Sequence, residues 1–164
     1  MTINPTLLST LLSTLTLVIA ATLSNTVLAG GSHGHDKQHS MSPVGMPVAD
    51  AQATKTIQVT TLDTMRYTYS PPLDINAGDV VTFIVTNKGN IEHEFSIGDN
   101  EEQRKHRKMM QAMPDMDHAE GNTIKVKPGE TKTITWQFSA LKDAIIACNI
   151  PGHFEAGMYT SLDK

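Results

Sequence analysis

From Lys55 onward the chain is cut into short runs rich in Thr, Val, Ile and aromatic residues, most of them closed by Gly, Pro, Asn or Asp. This punctuation favours strands: β-branched and aromatic side chains suit a half-buried pleated surface, and the turn residues reverse the chain between runs. The expected strands are 55–60, 65–69, 73–75, 80–86, 93–97, 122–126, 131–138, 144–149 and 157–161. In 131–138, Ile134, Trp136 and Phe138 alternate with Thr and Gln, so one face can be buried while the other meets water. The turns Asn76-Ala77-Gly78-Asp79 and Lys127-Pro128-Gly129-Glu130 supply the reversals. Many short strands joined this way predict an all-β sandwich.

One segment departs from the pattern. Residues 101–113 are strong helix formers, with Glu101 and Glu102 at the start and bases later, as the helix dipole favours. A short helix inserted between strands is expected, ended by Pro114. His106, Met110 and Met113 fall near one of its faces, with Met109 beside them and Met116 and His118 just beyond. Two readings stay open: a second metal-handling patch, or flexible Met side chains covering the sandwich.

Cys148, His153 and Met158 follow one another at five-residue intervals, and Cys148 is the sole cysteine. A thiolate, an imidazole and a thioether need one more imidazole to complete the trigonal His2Cys set with a long axial Met that characterises electron-transfer copper sites. His93, just past the apolar run 80–85 and an Asn/Gly turn, is the candidate. Zinc fits less well, since its structural sites draw on several Cys and His at short spacing. A catalytic thiol would need an orienting partner, and residues 149–152 offer none.

With these residues in view, residues 54–164 resemble the cupredoxins, and in particular the periplasmic copper-tolerance cupredoxins of bacteria, the CopI type. The resemblance implies a Greek-key β-sandwich, with His93, Cys148 and His153 as equatorial ligands of one type 1 copper and Met158 as the axial ligand. It implies a non-enzymatic protein that contributes to periplasmic copper tolerance by binding copper and handling it redox-wise. The alternative is a soluble electron shuttle between respiratory proteins, with His153 as the electron exit. The spacing from Cys148 to Met158 is longer than in plant plastocyanins and similar to that of rusticyanin. One position departs from the family pattern: Glu94 follows the upstream His where many cupredoxins have Asn. Turned inward, its carboxylate would favour oxidised copper; turned to water, it would do little.

Residues 7–29 are uncharged and largely apolar, ending in Val27-Leu28-Ala29. They read as a secretory signal peptide, 1–29, cleaved after Ala29, although no Lys or Arg precedes the apolar run. The competing reading is a retained anchor, for which the Thr, Ser and Asn content is unfavourable. Residues 30–53 contain His33, His35, His39, Met41 and Met46 among Gly and Pro, and are expected to be a flexible tail. Such a tail could bind additional labile copper, or be an inert linker. The cupredoxin domain is then 54–164. A net charge of −4 gives no support for nucleic-acid binding. The expected partners are copper ions and a periplasmic redox or copper-transfer protein, and the chain is expected to be a monomer with no stable membrane insertion.

Overall fold

The computed structural model describes residues 41–114 and 121–163. The signal segment 1–29, His33, His35, His39, Met116 and His118 lie outside the described residues.

Two antiparallel-dominated sheets face each other. The first has strands β1 (Gly45–Pro47), β2 (Lys55–Leu62), β3 (Arg66–Ser70), β4 (Val80–Asn87) and β7 (Thr131–Phe138), in the order β1-β7-β4-β2-β3. The second has β5 (His93–Asp99), β6 (Thr123–Val126), β8 (Ala144–Ala147) and β9 (Tyr159–Ser161), in the order β6-β5-β8-β9. β2 and β4 run parallel, so the chain must cross over between them. The core lies between the sheets. Val81, Phe83, Val85, Trp136 and Phe138 meet Phe95, Ile97 and Ile146 there, with the Phe83 and Phe95 ring centroids 5.2 Å apart. Truncating a ring at such a site costs about 3–5 kcal/mol, because the neighbours cannot close the cavity.

Helix α1 (Asn100–Ala112) follows β5 directly and covers the outer face of the second sheet. A capping box starts it: the Asp99 side chain accepts from Glu102 N, and the Glu102 carboxylate accepts from Asp99 N. Gly98 lets the helix come close, since a Cβ there would lie 3.1 Å from Glu102 Oε2 and 3.3 Å from Gln103 Nε2. β5 is therefore covered on both faces and buried over almost its whole length. Because side chains alternate along a strand, His93, Phe95 and Ile97 share the inner face, while Glu94 and Ser96 point beneath α1. No helix among the described residues is long and apolar enough to cross a membrane.

Three expectations are corrected. Residues 73–75 are not a strand: after Pro71 and Pro72 the segment runs as a loop and plugs Ile75 into the core. The described part of the expected tail, 41–53, is folded onto the sandwich, so the domain extends upstream of Thr54. Val44 is buried and β1 pairs with β7. Gly45 permits that pairing, since it has φ +145° and a Cβ there would lie 2.0 Å from Gln137 O. A Gly-Met-Pro strand carries no β signal, and its Pro is tolerated because β1 is an edge. Finally, Thr135 is buried rather than facing water: its hydroxyl donates to Asp50 Oδ1 and pairs with Thr82 Oγ1 at 2.7 Å.

Candidate metal centre

The segment from Cys148 to Met158 is held by its own backbone. His153 N donates to Ile150 O at 3.0 Å, Ala156 N to Gly152 O at 3.1 Å and Gly157 N to Phe154 O at 2.8 Å, so the loop winds through successive turns. Its ends close on each other: Met158 N donates to His153 O and Cys148 N to Met158 O, both at 3.0 Å. Those bonds end β8 at Ala147 and leave Cys148 at the mouth of the sheet. Gly152 and Gly157 have φ of +88° and +94°, which side-chain-bearing residues rarely adopt. Gly157 also makes room for Arg66, whose guanidinium Nη1 donates to Ala156 O at 3.0 Å.

The loop brings Cys148 and His153 together, with Sγ 3.2 Å from His153 Nδ1. His93 arrives from the start of β5, an inner strand of the sheet, and one ligand atom from each of the three residues lies within 4.8 Å of the others. The His93 and His153 rings are 5.2 Å apart between centroids. Cys148, His93 and Met158 are completely buried, whereas His153 is half-buried.

The local chemistry fits a soft metal ion. His93 Nδ1 is buried and has no hydrogen-bond partner, which is costly unless something else uses its lone pair. Burial pushes the Cys148 thiol up to about 12, so a proton or a metal ion must occupy the sulfur at neutral pH. Glu94 N donates to Cys148 Sγ at 3.2 Å, the contact a thiolate would strengthen. Burial, reinforced by neighbouring His93, holds His153 below its usual range, which keeps the imidazole neutral as a ligand must be.

Glu94 does not turn to water. Its carboxylate is 0% exposed and meets His106 Nε2 at 3.0 and 3.1 Å. Glu94 Oε1 also accepts from Asn149 Nδ2 at 3.0 Å and from Asn149 N at 3.3 Å. The Asn149 amide donates in turn to Gln103 Oε1 at 2.7 Å, and Gln103 Nε2 donates to Ser96 O and Ile145 O. One residue thus spans from the His93 strand to the backbone following Cys148, a tie made here by a carboxylate and braced by α1. The helix also leans on the loop through Arg107, whose guanidinium carbon is 3.6 Å from the Phe154 ring centroid.

Met110 is buried and His106 faces Glu94, while Met113 is 40% exposed. Of the two readings of this helix face, Met110 follows the second, as buried cover for the sheet. Asp63, Arg66 and the Glu94–His106 pair were missed from the sequence. The strand period did carry one usable signal, that Glu94 must point away from His93 and beneath whatever covers the sheet.

Comparison with known proteins shows the family and the fold. The multicopper oxidase family matches residues 36–164. The copper-resistant cuproprotein CopI of Vibrio cholerae is 43% identical over 162 residues, covering 90% of this chain and 96% of that protein. The protein of the same name from Rubrivivax gelatinosus is 38% identical, covering 87% and 90%, and that of Pseudomonas aeruginosa is 30% identical, covering 83% and 90%. Among solved structures, auracyanin B shares the fold with a TM-score of 0.54 at 20% identity, covering 72% of this chain and 94% of its own. Dithionite-reduced auracyanin from Roseiflexus castenholzii gives 0.52 at 21% identity, covering 65% and 94%.

Proposed function

The chain belongs to the CopI family of copper-resistant cuproproteins, with a cupredoxin-like fold, and from that premise we propose that it binds one copper ion through His93, Cys148, His153 and Met158 and so contributes to copper tolerance outside the cytoplasm. The observation that carries the ligand assignment is the convergence of the His93, Cys148 and His153 ligand atoms around a buried, partner-free His93 Nδ1. Thiolate and imidazole donors beside a buried thioether suit both oxidation states of copper, and bound copper would supply a one-electron couple.

The chain's own residues do the rest. Cys148 gives up its proton on binding, and the Glu94 amide supports the resulting charge on sulfur. Glu94 and Asn149 keep the two ligand segments in register, and the loop's backbone bonds fix His153 and Met158 relative to Cys148. His153 is less buried than His93, which suits it as a route for copper or electrons.

Export is supported by the uncharged apolar segment 7–29, and in an oxidising compartment ligation would protect the single cysteine. We read the chain as a binder rather than an oxidase. A multicopper oxidase needs further His-rich centres, and the sequence offers one His-x-His pair, His33-Gly34-His35. The half-buried His153 also suits a shuttle. Deleting the gene separates the two: copper sensitivity restored by the wild-type chain but not by Cys148→Ser supports tolerance, and normal growth across a copper series with impaired respiratory electron delivery would replace it with the shuttle.

A further inference from the structure

Asp63 lies in the turn between β2 and β3, on the opposite sheet from His93 and thirty positions before it in the chain. Its two carboxylate oxygens are used differently. Oδ2 accepts from Asn90 N at 2.7 Å and from Asn90 Nδ2 at 3.1 Å, and Oδ1 sits 3.2 Å from His93 Nε2. The loop carrying Asn90 is shaped to receive it. A Cβ at Gly89 would lie 1.9 Å from Asp63 Oδ1, so only glycine admits the carboxylate there. The Asn87 side chain holds that loop by accepting from Gly89 N and donating to Ile91 O and Val126 O.

An ionised carboxylate can only accept hydrogen bonds, so the proton in its contact with His93 belongs to the imidazole Nε2. A neutral ring protonated there has a bare Nδ1, and Nδ1 is the buried atom without a partner. Both Asn90 contacts are N–H donors to Oδ2, as an acceptor-only carboxylate requires. Carboxylate–histidine–metal triads work in this way, fixing both the tautomer and the ring orientation of the ligand.

Resting on the copper reading above, we propose that Asp63 is the positioning residue of His93: it fixes Nδ1 as the metal-facing nitrogen and places a negative charge behind the ligand that biases the site toward Cu(II) over Cu(I). Asp63→Asn keeps an acceptor and drops the charge, whereas Asp63→Ala drops both. The turn is partly exposed, so both variants should fold.

The test uses the full chain and two readouts. In copper-loaded protein, Asp63→Asn should lower the Cu(II)-to-Cu(I) affinity ratio about tenfold, a rise in potential of about 59 mV for one electron, with the thiolate band kept. Asp63→Ala should add an altered EPR hyperfine pattern as the ring is released. In copper-free protein, nitrogen-15 shifts should report His93 protonated at Nε2 in wild type and Asp63→Asn, and mixed tautomers in Asp63→Ala. A wild-type ring protonated at Nδ1, or potentials unchanged in both variants beside a normal wild-type band, would overturn the role of Asp63 alone. A wild type with no thiolate band would overturn the copper reading and this inference with it.

Discussion

The Cys148–Met158 loop and the end of β5 both contribute to the proposed copper centre but are held in different ways. Cys148, His153 and Met158 are neighbours in sequence and are fixed by backbone bonds within the loop. His93 and its strand are fixed by side chains from elsewhere: Asp63 on Nε2, the Tyr67 hydroxyl on Glu94 O, and His106 and Asn149 on the Glu94 carboxylate. The loop therefore carries most of the proposed ligands, while the β5 side carries the charged groups around them. Changes in the loop should alter geometry and ligand chemistry; changes around β5 should alter stability and potential while leaving the ligand set intact.

The largest effect is expected at Glu94. Glu94→Leu removes the acceptor for His106 and for both Asn149 donors in a buried place, and should destabilise the copper-free chain by about 3 kcal/mol or more. Urea unfolding measures it, and Glu94→Gln, which keeps an acceptor, should recover a good part of the loss. Equal and small effects for both variants would show that the β5 side does not depend on this side chain. Next comes Gly157→Ala in the loop, where φ of +94° and the Arg66 guanidinium 2.8 Å from the new Cβ together predict a loss of about 1–3 kcal/mol in thermal melts.

The contrast also explains what could be read from sequence. The five-residue spacing of Cys148, His153 and Met158 is a local pattern of soft donors, so these residues can be proposed as ligands without any fold. His93 was legible because a His just past an apolar strand is a short-range signal. Asp63 was not: its turn shows nothing unusual, and only the approach of the two sheets brings it to His93. His106 was noticed as part of a Met-rich helix face, yet its partner Glu94 belongs to another element and emerged only when α1 was laid on β5. Most strands were legible from composition. β1 was missed because a Gly-Met-Pro edge has no propensity of its own, and 73–75 was overcalled because the apolar Leu73 and Ile75 fill the core from a loop.

Smaller effects sharpen the comparison. Met158→Leu keeps the buried volume, so the copper-free chain should lose less than about 1.5 kcal/mol, while the copper-loaded spectrum should change clearly. The smallest effect concerns acid. Because burial and His93 hold the His153 imidazole below its usual range, the unfolded chain takes up that proton first as pH falls through about 6.5. Its contribution to stability is complete above that pH and is lost as pH drops toward the lower folded value. Melting of the copper-free chain at pH 7.5 and 5.5 should show the decline, and His153→Gln should reduce it.

The most direct test of the account is a Cu(II) titration of the reduced protein followed by visible absorption and EPR, with Cys148→Ser in parallel. The account predicts an intense thiolate-to-copper band that saturates at about one equivalent and is missing in the variant. A properly folded wild-type chain that binds no copper in this way, or a band that survives in Cys148→Ser, would contradict it.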